Sequence, residues 1–176
     1  MVAERDPVLQ RHQEVVAQTA RAVAEALALD ARTIDEIVIA AELHDLGKLA
    51  LPHSIVHKPF ALDEEEWRIM RRHTLIGESM LHPFPELRRV ASFVRSSHER
   101  YDGRGYPDGL AGEAIPLASR IVFVCDTWEA MTGGRAYRPP VSRAEALAEL
   151  RLCAGTQFDP AVVDAFVAAM RPRAAS

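Results

Sequence analysis

Residues 33–47 read TIDEIVIAAELHDLG, and this stretch determines how the rest of the chain is interpreted. Thr33 followed three residues later by Glu36 predicts a capping box at a helix start, and Gly47 predicts the end of that helix. Apolar residues recur one and two turns before His44, on its own face: Ile37, Ala40 and Ala41. The stretch therefore predicts an amphipathic helix that carries His44 on its buried face, with an aspartate directly after it.

The same helical spacing of apolar residues continues on both sides of this stretch. Capping boxes at Asp63–Glu66 and Ser142–Glu145, and the pair Asp159-Pro160, predict further helix starts. The segment Glu99–Pro116 contains four glycines and two prolines, so it predicts a long loop, either ordered or disordered, that forms a lid or pocket wall. The sequence thus predicts an all-α bundle of about seven helices in a single domain, residues 1–176, with its core at about residues 12–167.

Two of the predicted helices carry further histidines. One helix extends over Asp63–Leu81, with Trp67 on its apolar face and His73 at the border of that face. The next extends over Leu87–His98, where apolar residues at helical spacing direct His98 toward the core.

The composition excludes several functional classes. The 176 residues contain 21 Lys and Arg against 25 Asp and Glu, a net charge of −4, which does not fit a protein that binds polymeric nucleic acid or an anionic membrane. No apolar stretch approaches the length of about 20 residues that a membrane span needs, and no export segment is evident, so we expect a cytoplasmic protein. Seven histidines against two cysteines favour imidazole chemistry over a disulfide framework.

Six side chains of metal-binding type lie on or beside the inward faces of the predicted helices. They are His12, His44, Asp45, His73, His98 and Asp126. A His-Asp pair alone is more often a core histidine held by a helix cap. However, a buried carboxylate is costly unless it is paired or bound to metal, and several such groups directed at one interior indicate a metal centre.

Four sequence blocks resemble the HD-GYP domain, a branch of the HD metal-dependent phosphohydrolases. They are HDLGK at 44–48, HERYDGRGYP at 98–107, DTWEAMTGGRAYR at 126–138 and GTQFDP at 155–160. The resemblance extends from about His12 to Phe166. It implies a helical domain that binds two or three divalent ions, iron or manganese, and hydrolyses cyclic di-GMP to the linear dinucleotide or GMP.

The resemblance also implies roles for single residues. The six residues above match the family's metal ligands, with Asp45 bridging two ions and serving catalysis. Lys48 matches a catalytic lysine that contacts a substrate phosphate, and Tyr106, Arg135 and Arg138 match residues that bind the nucleotide. A metal-bridging hydroxide would attack phosphorus while cationic side chains neutralise the phosphate oxygens.

The chain departs from the family pattern in three places. Ser97 stands where the family has another histidine ligand, and Glu129 stands where it has an aspartate. Val8 leaves no acidic residue one turn before His12. A neutral hydroxyl is a poor ligand for iron or manganese, so we expect a two-metal site.

Two other functions stay open at this stage. Ser97 is compatible with a weak or inactive HD-GYP module that binds cyclic di-GMP or a GGDEF-type signalling protein. An HD phosphohydrolase for another nucleotide is the second alternative. The sequence does not determine the oligomeric state, and a homodimer is one arrangement that it leaves open.

Overall fold

The computed structural model describes residues 7–133 and 139–171, and these residues form an all-α fold, as predicted. The helices are α1 Pro7–Ala26, α2 Ala31–Leu43, α3 His53–Val56, α4 Glu64–Arg71, α5 His73–Leu81, α6 Arg88–Arg95, α7 Leu117–Thr132, α8 Arg143–Leu152 and α9 Pro160–Ala169. Short 3-10 helices occupy Leu46–Ala50, Pro85–Leu87 and Gly112–Ala114. The described residues contain isolated β-bridges but no strand, and none of their helices is long and apolar enough to cross a membrane.

The core forms around α1, which packs against α2, α7 and α9. Val16, Ala20 and Val23 of α1 are fully buried at the helical spacing that the sequence indicates. Helix α7 is buried on most of its surface, and Ile121 and Val124 are fully inaccessible. Side chains at the ends of α2 and along α7 therefore point into one interior.

The predicted helix starts are correct at three helices, where the predicted residue caps the helix. Asp63 with Glu66 and Ser142 with Glu145 form complete capping boxes, and Asp159 caps α9. The box predicted at Thr33 is wrong, because α2 begins one turn earlier at Asp30. The Asp30 carboxylate accepts hydrogen bonds from the Thr33 backbone N–H (3.1 Å) and hydroxyl (2.6 Å), which places Thr33 inside the helix.

The predicted helix over Asp63–Leu81 is two helices that meet at Arg72. The Arg72 backbone N–H bonds to the Ile69 carbonyl, an i to i−3 bond that tightens the turn and ends α4. Trp67 is 46% exposed, so the apolar face predicted for it is wrong. The helix predicted to end at His98 ends at Arg95, and His98 instead pairs with the loop.

Gly47 has a different role from the predicted helix end, since α2 stops at Leu43 and Gly47 lies inside the following 3-10 helix. A Cβ at Gly47 would lie 1.9 Å from the His73 carbonyl oxygen. The missing side chain therefore allows this 3-10 helix to contact α5 directly. That contact brings the end of α2 next to His73.

The long loop over residues 99–116 is held against the rest of the fold by hydrogen bonds and ion pairs. The backbone N–H groups of Tyr101 and Asp102 bond to the Gln157 and Thr156 carbonyls (3.2 and 2.8 Å), and the Tyr106 N–H bonds to the His98 carbonyl (3.2 Å). Arg95 connects the same loop to α5 through ion pairs with Asp108 and Glu78.

Candidate metal centre

The six predicted ligands come together as two groups of three. Within each group, one nitrogen or oxygen atom from every residue lies within 4.8 Å of the others. In the first group, His12 lies on α1, His44 at the end of α2 and Asp126 on α7. In the second group, Asp45 lies in the turn after α2, His73 at the start of α5 and His98 at the start of the loop.

Backbone carbonyls orient two of the imidazoles. The Nδ1–H of His44 donates to the Ala41 carbonyl (2.7 Å), and that of His73 donates to the Met70 carbonyl (2.8 Å). Because a carbonyl oxygen can only accept, Nδ1 carries the proton in both rings, and Nε2 presents a lone pair. Each histidine is thus held in the tautomer that a metal ligand needs.

Asp45 lies between the two groups and faces both. Its Oδ2 is 3.6 Å from His44 Nε2, and its Oδ1 is 3.6 Å from His73 Nε2. Burial opposes the charged carboxylate, but the Lys48 ammonium, whose Nζ lies 2.6 Å from Oδ2, holds the pKa of Asp45 well below its usual range. Asp45 therefore stays ionised and has an oxygen available to each group.

Glu129 completes the environment of His12. His12 Nε2 lies 3.3 Å from Asp126 Oδ1, and its Nδ1 hydrogen bonds with Glu129 Oε2. Burial disfavours the protonated ring, but these two carboxylates outweigh burial and raise the pKa of His12 to about 9, so a cation that binds His12 must displace a proton from the ring. A carboxylate on the far nitrogen of a ligand histidine fixes the orientation of its ring. This contact was missed from sequence, although Glu129 follows Asp126 by one helical turn on the same face.

His98 has the opposite environment. Burial is the main cause that lowers the pKa of His98 to about 3, so its ring is neutral and able to coordinate a cation. Its ring stacks on Tyr106, with centroids 5.2 Å apart and planes 21° from parallel. The GYP segment of the loop therefore borders the second group directly.

The donor set fits divalent cations. Three buried polar atoms of the centre have no hydrogen-bond partner within residues 7–133 and 139–171: His44 Nε2, Asp45 Oδ1 and His73 Nε2. Buried polar atoms are rarely unpaired in native proteins, and each costs about 1–3 kcal/mol if it stays so. Imidazole nitrogens and carboxylate oxygens that face one another across 3.3–3.8 Å provide suitable coordination for such a cation.

Ser97 contributes no ligand nitrogen to the second group. The side chain is buried, and its hydroxyl donates to the Val94 carbonyl at 2.9 Å, a bond back to the preceding helix. The position next to His98 is thus occupied by a small group that is already hydrogen bonded.

The remaining predicted site residues have different placements. Lys48 pairs with Asp45, and Tyr106 lies against His98. Arg135 and Arg138 lie outside the described residues. Arg71, which is exposed at the end of α4, was not among the predicted site residues. The structure places its guanidinium over the Tyr106 ring, and the only sequence signal was its position one residue before the Arg72-His73 pair.

A family model described as an HD domain matches residues 1–162, so the chain belongs to the HD domain family. The response regulator RpfG of Xanthomonas campestris, named a cyclic di-GMP phosphodiesterase, is 43% identical over 88% of this chain and 41% of its own length. A protein of Thermotoga maritima with the same activity in its name is 39% identical over 93% of this chain and 45% of its own length. These relatives agree with the resemblance to the HD-GYP branch.

A solved structure has the same fold. It is a cyclic GMP-AMP specific phosphodiesterase of Vibrio cholerae, V-cGAP3, with a TM-score of 0.71 over 89% of this chain and 43% of that chain, at 18% sequence identity. The chain spans less than half the length of the two curated relatives that it matches.

Proposed function

We propose that this chain is a metal-dependent phosphodiesterase that hydrolyses cyclic di-GMP to the linear dinucleotide or GMP. The observation that carries the proposal is the arrangement of six ligand side chains in two adjacent groups around Asp45. The names of the two curated relatives favour cyclic di-GMP as the substrate.

We infer two divalent ions, iron or manganese, held by the two groups with Asp45 shared between them. Such a pair of ions supplies a nucleophile at neutral pH and neutralises the charge that builds on a phosphodiester. Within the chain, the Nδ1 bonds of His44 and His73 fix the ligand nitrogens, and Glu129 orients His12. These contacts keep the centre preorganised.

Lys48 and Tyr106 are the proposed substrate-binding side chains within the described residues. The Lys48 ammonium lies at the edge of the centre, partly exposed and 2.6 Å from Asp45, where it can also donate to a phosphate oxygen. Tyr106, whose ring stacks on His98, is proposed to contact the nucleotide through its hydroxyl or the edge of its ring. Arg135 and Arg138 stay in the proposal as phosphate-binding residues on the resemblance alone.

The experiment is turnover of cyclic di-GMP by protein loaded anaerobically with Mn²⁺ or Fe²⁺. Products are separated by chromatography, with cyclic GMP-AMP and the cyclic di-adenosine analogue as competing substrates. We expect linear dinucleotide or GMP to accumulate only with metal and fastest from cyclic di-GMP. If another cyclic dinucleotide reacts faster, cyclic di-GMP is rejected as the preferred substrate, but the chain is still a phosphodiesterase.

A second candidate function follows from Ser97. If the missing imidazole prevents full metal occupancy, the chain is an HD-GYP module that binds cyclic di-GMP without hydrolysing it and acts through a partner such as a GGDEF-type protein. Binding without turnover in both metals would favour this module. The GGDEF-type partner, the homodimer and the cytoplasmic location stay predictions.

A further inference from the structure

Arg71 is an exposed cation at the edge of the metal centre. It is the last residue of α4, and its Cζ lies 5.4 Å from the centroid of the Tyr106 ring. The preceding residue, Met70, supplies the carbonyl that accepts the His73 Nδ1–H. The same turn of chain therefore orients a candidate metal ligand and positions the Arg71 guanidinium.

The charge of Arg71 is not neutralised by a neighbouring side chain. In the part of the chain that the structure describes, no carboxylate forms an ion pair with it, whereas Arg68 on the same helix pairs with Glu65. The Lys48 ammonium, by contrast, is paired with Asp45. Arg71 is thus a cation beside the centre that has an aromatic contact but no counter-ion.

Arg71 reaches the edge of the metal centre through its contact with Tyr106. The Tyr106 ring contacts Arg71 as well as the centre, since its centroid is 5.4 Å from Arg71 Cζ, 5.2 Å from the His98 ring centroid and 6.4 Å from that of His73. A cyclic dinucleotide carries two phosphodiesters on opposite sides of one ring. When one phosphodiester lies at the metal ligands, the other lies outside their reach, and Arg71 is a cation at the edge of the centre with no ion pair among the described residues.

We propose that Arg71 binds the phosphodiester that is not being cleaved and so contributes to the affinity for a cyclic dinucleotide. This inference rests on the proposed function. Contact with the Tyr106 ring holds the planar guanidinium in a limited range of orientations, which lowers the entropic cost of a two-point contact with phosphate oxygens. Arg71 then acts on substrate binding, with no part in the chemical step.

The test compares Arg71→Gln with Arg72→Gln. Arg72 is the adjacent residue, is also exposed and forms no side-chain hydrogen bond, ion pair or cation–π contact within residues 7–133 and 139–171, so it controls for the loss of one positive charge from this surface. We measure kcat and KM for cyclic di-GMP with Mn²⁺ and, separately, the Kd of metal-free protein for cyclic di-GMP. Arg71→Lys tests whether charge alone is sufficient.

We expect Arg71→Gln to raise both KM and Kd about tenfold with kcat nearly unchanged, which is the lower range for a hydrogen bond between an exposed cation and a phosphate. Arg72→Gln should stay within about twofold of the wild type, and Arg71→Lys should give an intermediate KM because it keeps the charge without the planar fork. If the wild type hydrolyses cyclic di-GMP but the two variants Arg71→Gln and Arg72→Gln have the same KM as each other and the same Kd as each other, the inference is overturned and the proposed function stands.

The two proposals can fail separately. If the wild type binds cyclic di-GMP without hydrolysing it and Arg71→Gln weakens that binding, the role of Arg71 stands and the proposed activity is rejected. If the wild type neither binds nor hydrolyses the compound, both are rejected.

Discussion

Ser97 lies next to the ligand His98 but contributes no metal-binding side chain of its own. Its hydroxyl is committed to the Val94 carbonyl, whereas the neighbouring His98 ring faces Asp45 and His73. An imidazole at residue 97 would add a nitrogen donor beside the second group. A serine there leaves this group with three protein ligands.

We expect Ser97→His to raise the metal content per chain and the rate of cyclic di-GMP hydrolysis, because imidazole is a far better ligand for iron or manganese than a hydroxyl. The measurement is metal analysis of protein purified without added chelator, together with turnover. Ser97→Ala is the control, since it removes the bond to Val94 without adding a ligand. An unchanged metal content and rate in Ser97→His would mean that Ser97 does not limit the centre.

The 3-10 helix over Leu46–Ala50 determines how closely the end of α2 approaches α5. Gly47 sits against the His73 backbone with no room for a Cβ, so the register between these two elements depends on that glycine. Asp45 and His73 belong to the two elements on either side of this contact. A change at Gly47 should therefore affect both stability and metal binding.

For Gly47→Ala we expect a Tm lower by about 5 °C or more and a weakened metal affinity, because an overpacked contact against backbone costs about 1–3 kcal/mol. Thermal unfolding and metal titration measure the two effects. Leu49→Ala in the same 3-10 helix is the control, since Leu49 is 51% exposed and should have little effect on either. A Gly47→Ala protein with wild-type Tm and affinity would contradict the close contact.

Helix starts were predictable where a side chain caps its own helix within three residues, as at Ser142 and Asp63. Thr33 was misassigned because Asp30, three residues earlier, offers a carboxylate to the same helix, and two equivalent signals compete. The break at Arg72 was not predictable, since apolar spacing continues across it. The exposure of Trp67 likewise depends on where α4 lies in the fold, which periodicity does not encode.

Metal binding should stabilise the whole molecule. Three atoms are buried without hydrogen-bond partners in the described residues: His44 Nε2, Asp45 Oδ1 and His73 Nε2. Burying these polar atoms destabilises the folded metal-free chain, and a cation bound to them removes that cost. At a free metal concentration about 100 times the Kd, linkage adds about 2.7 kcal/mol, which corresponds to about 5–10 °C in Tm for a chain of this size.

The measurement is thermal unfolding of chelator-treated protein with and without Mn²⁺. Mg²⁺ at the same concentration is the control, because it prefers oxygen ligands and keeps its waters. A Tm that does not respond to Mn²⁺ would indicate that the two groups do not bind a divalent cation of this type.

The ligand residue types were predictable from sequence, because histidines and aspartates on inward faces have few other stable environments. Their division into two groups was not, since it depends on the crossing of α1, α2 and α7 and on the contact at Gly47. The contacts of Glu129 and Arg71 were not predictable for a related reason. Each acts through a partner distant in sequence, His12 for the first and Tyr106 for the second.

Asp45 faces both groups of ligands, and the proposed function requires it for hydrolysis of cyclic di-GMP. The most direct test is the initial rate of Mn²⁺-loaded Asp45→Asn beside the wild type, with the exposed Asp35→Asn as the matched control. The isosteric amide keeps the shape of the side chain but removes the charge that both groups share. We expect a loss of at least about 10³-fold in kcat for Asp45→Asn and none for Asp35→Asn. A rate for Asp45→Asn within about tenfold of the wild type would contradict the claim.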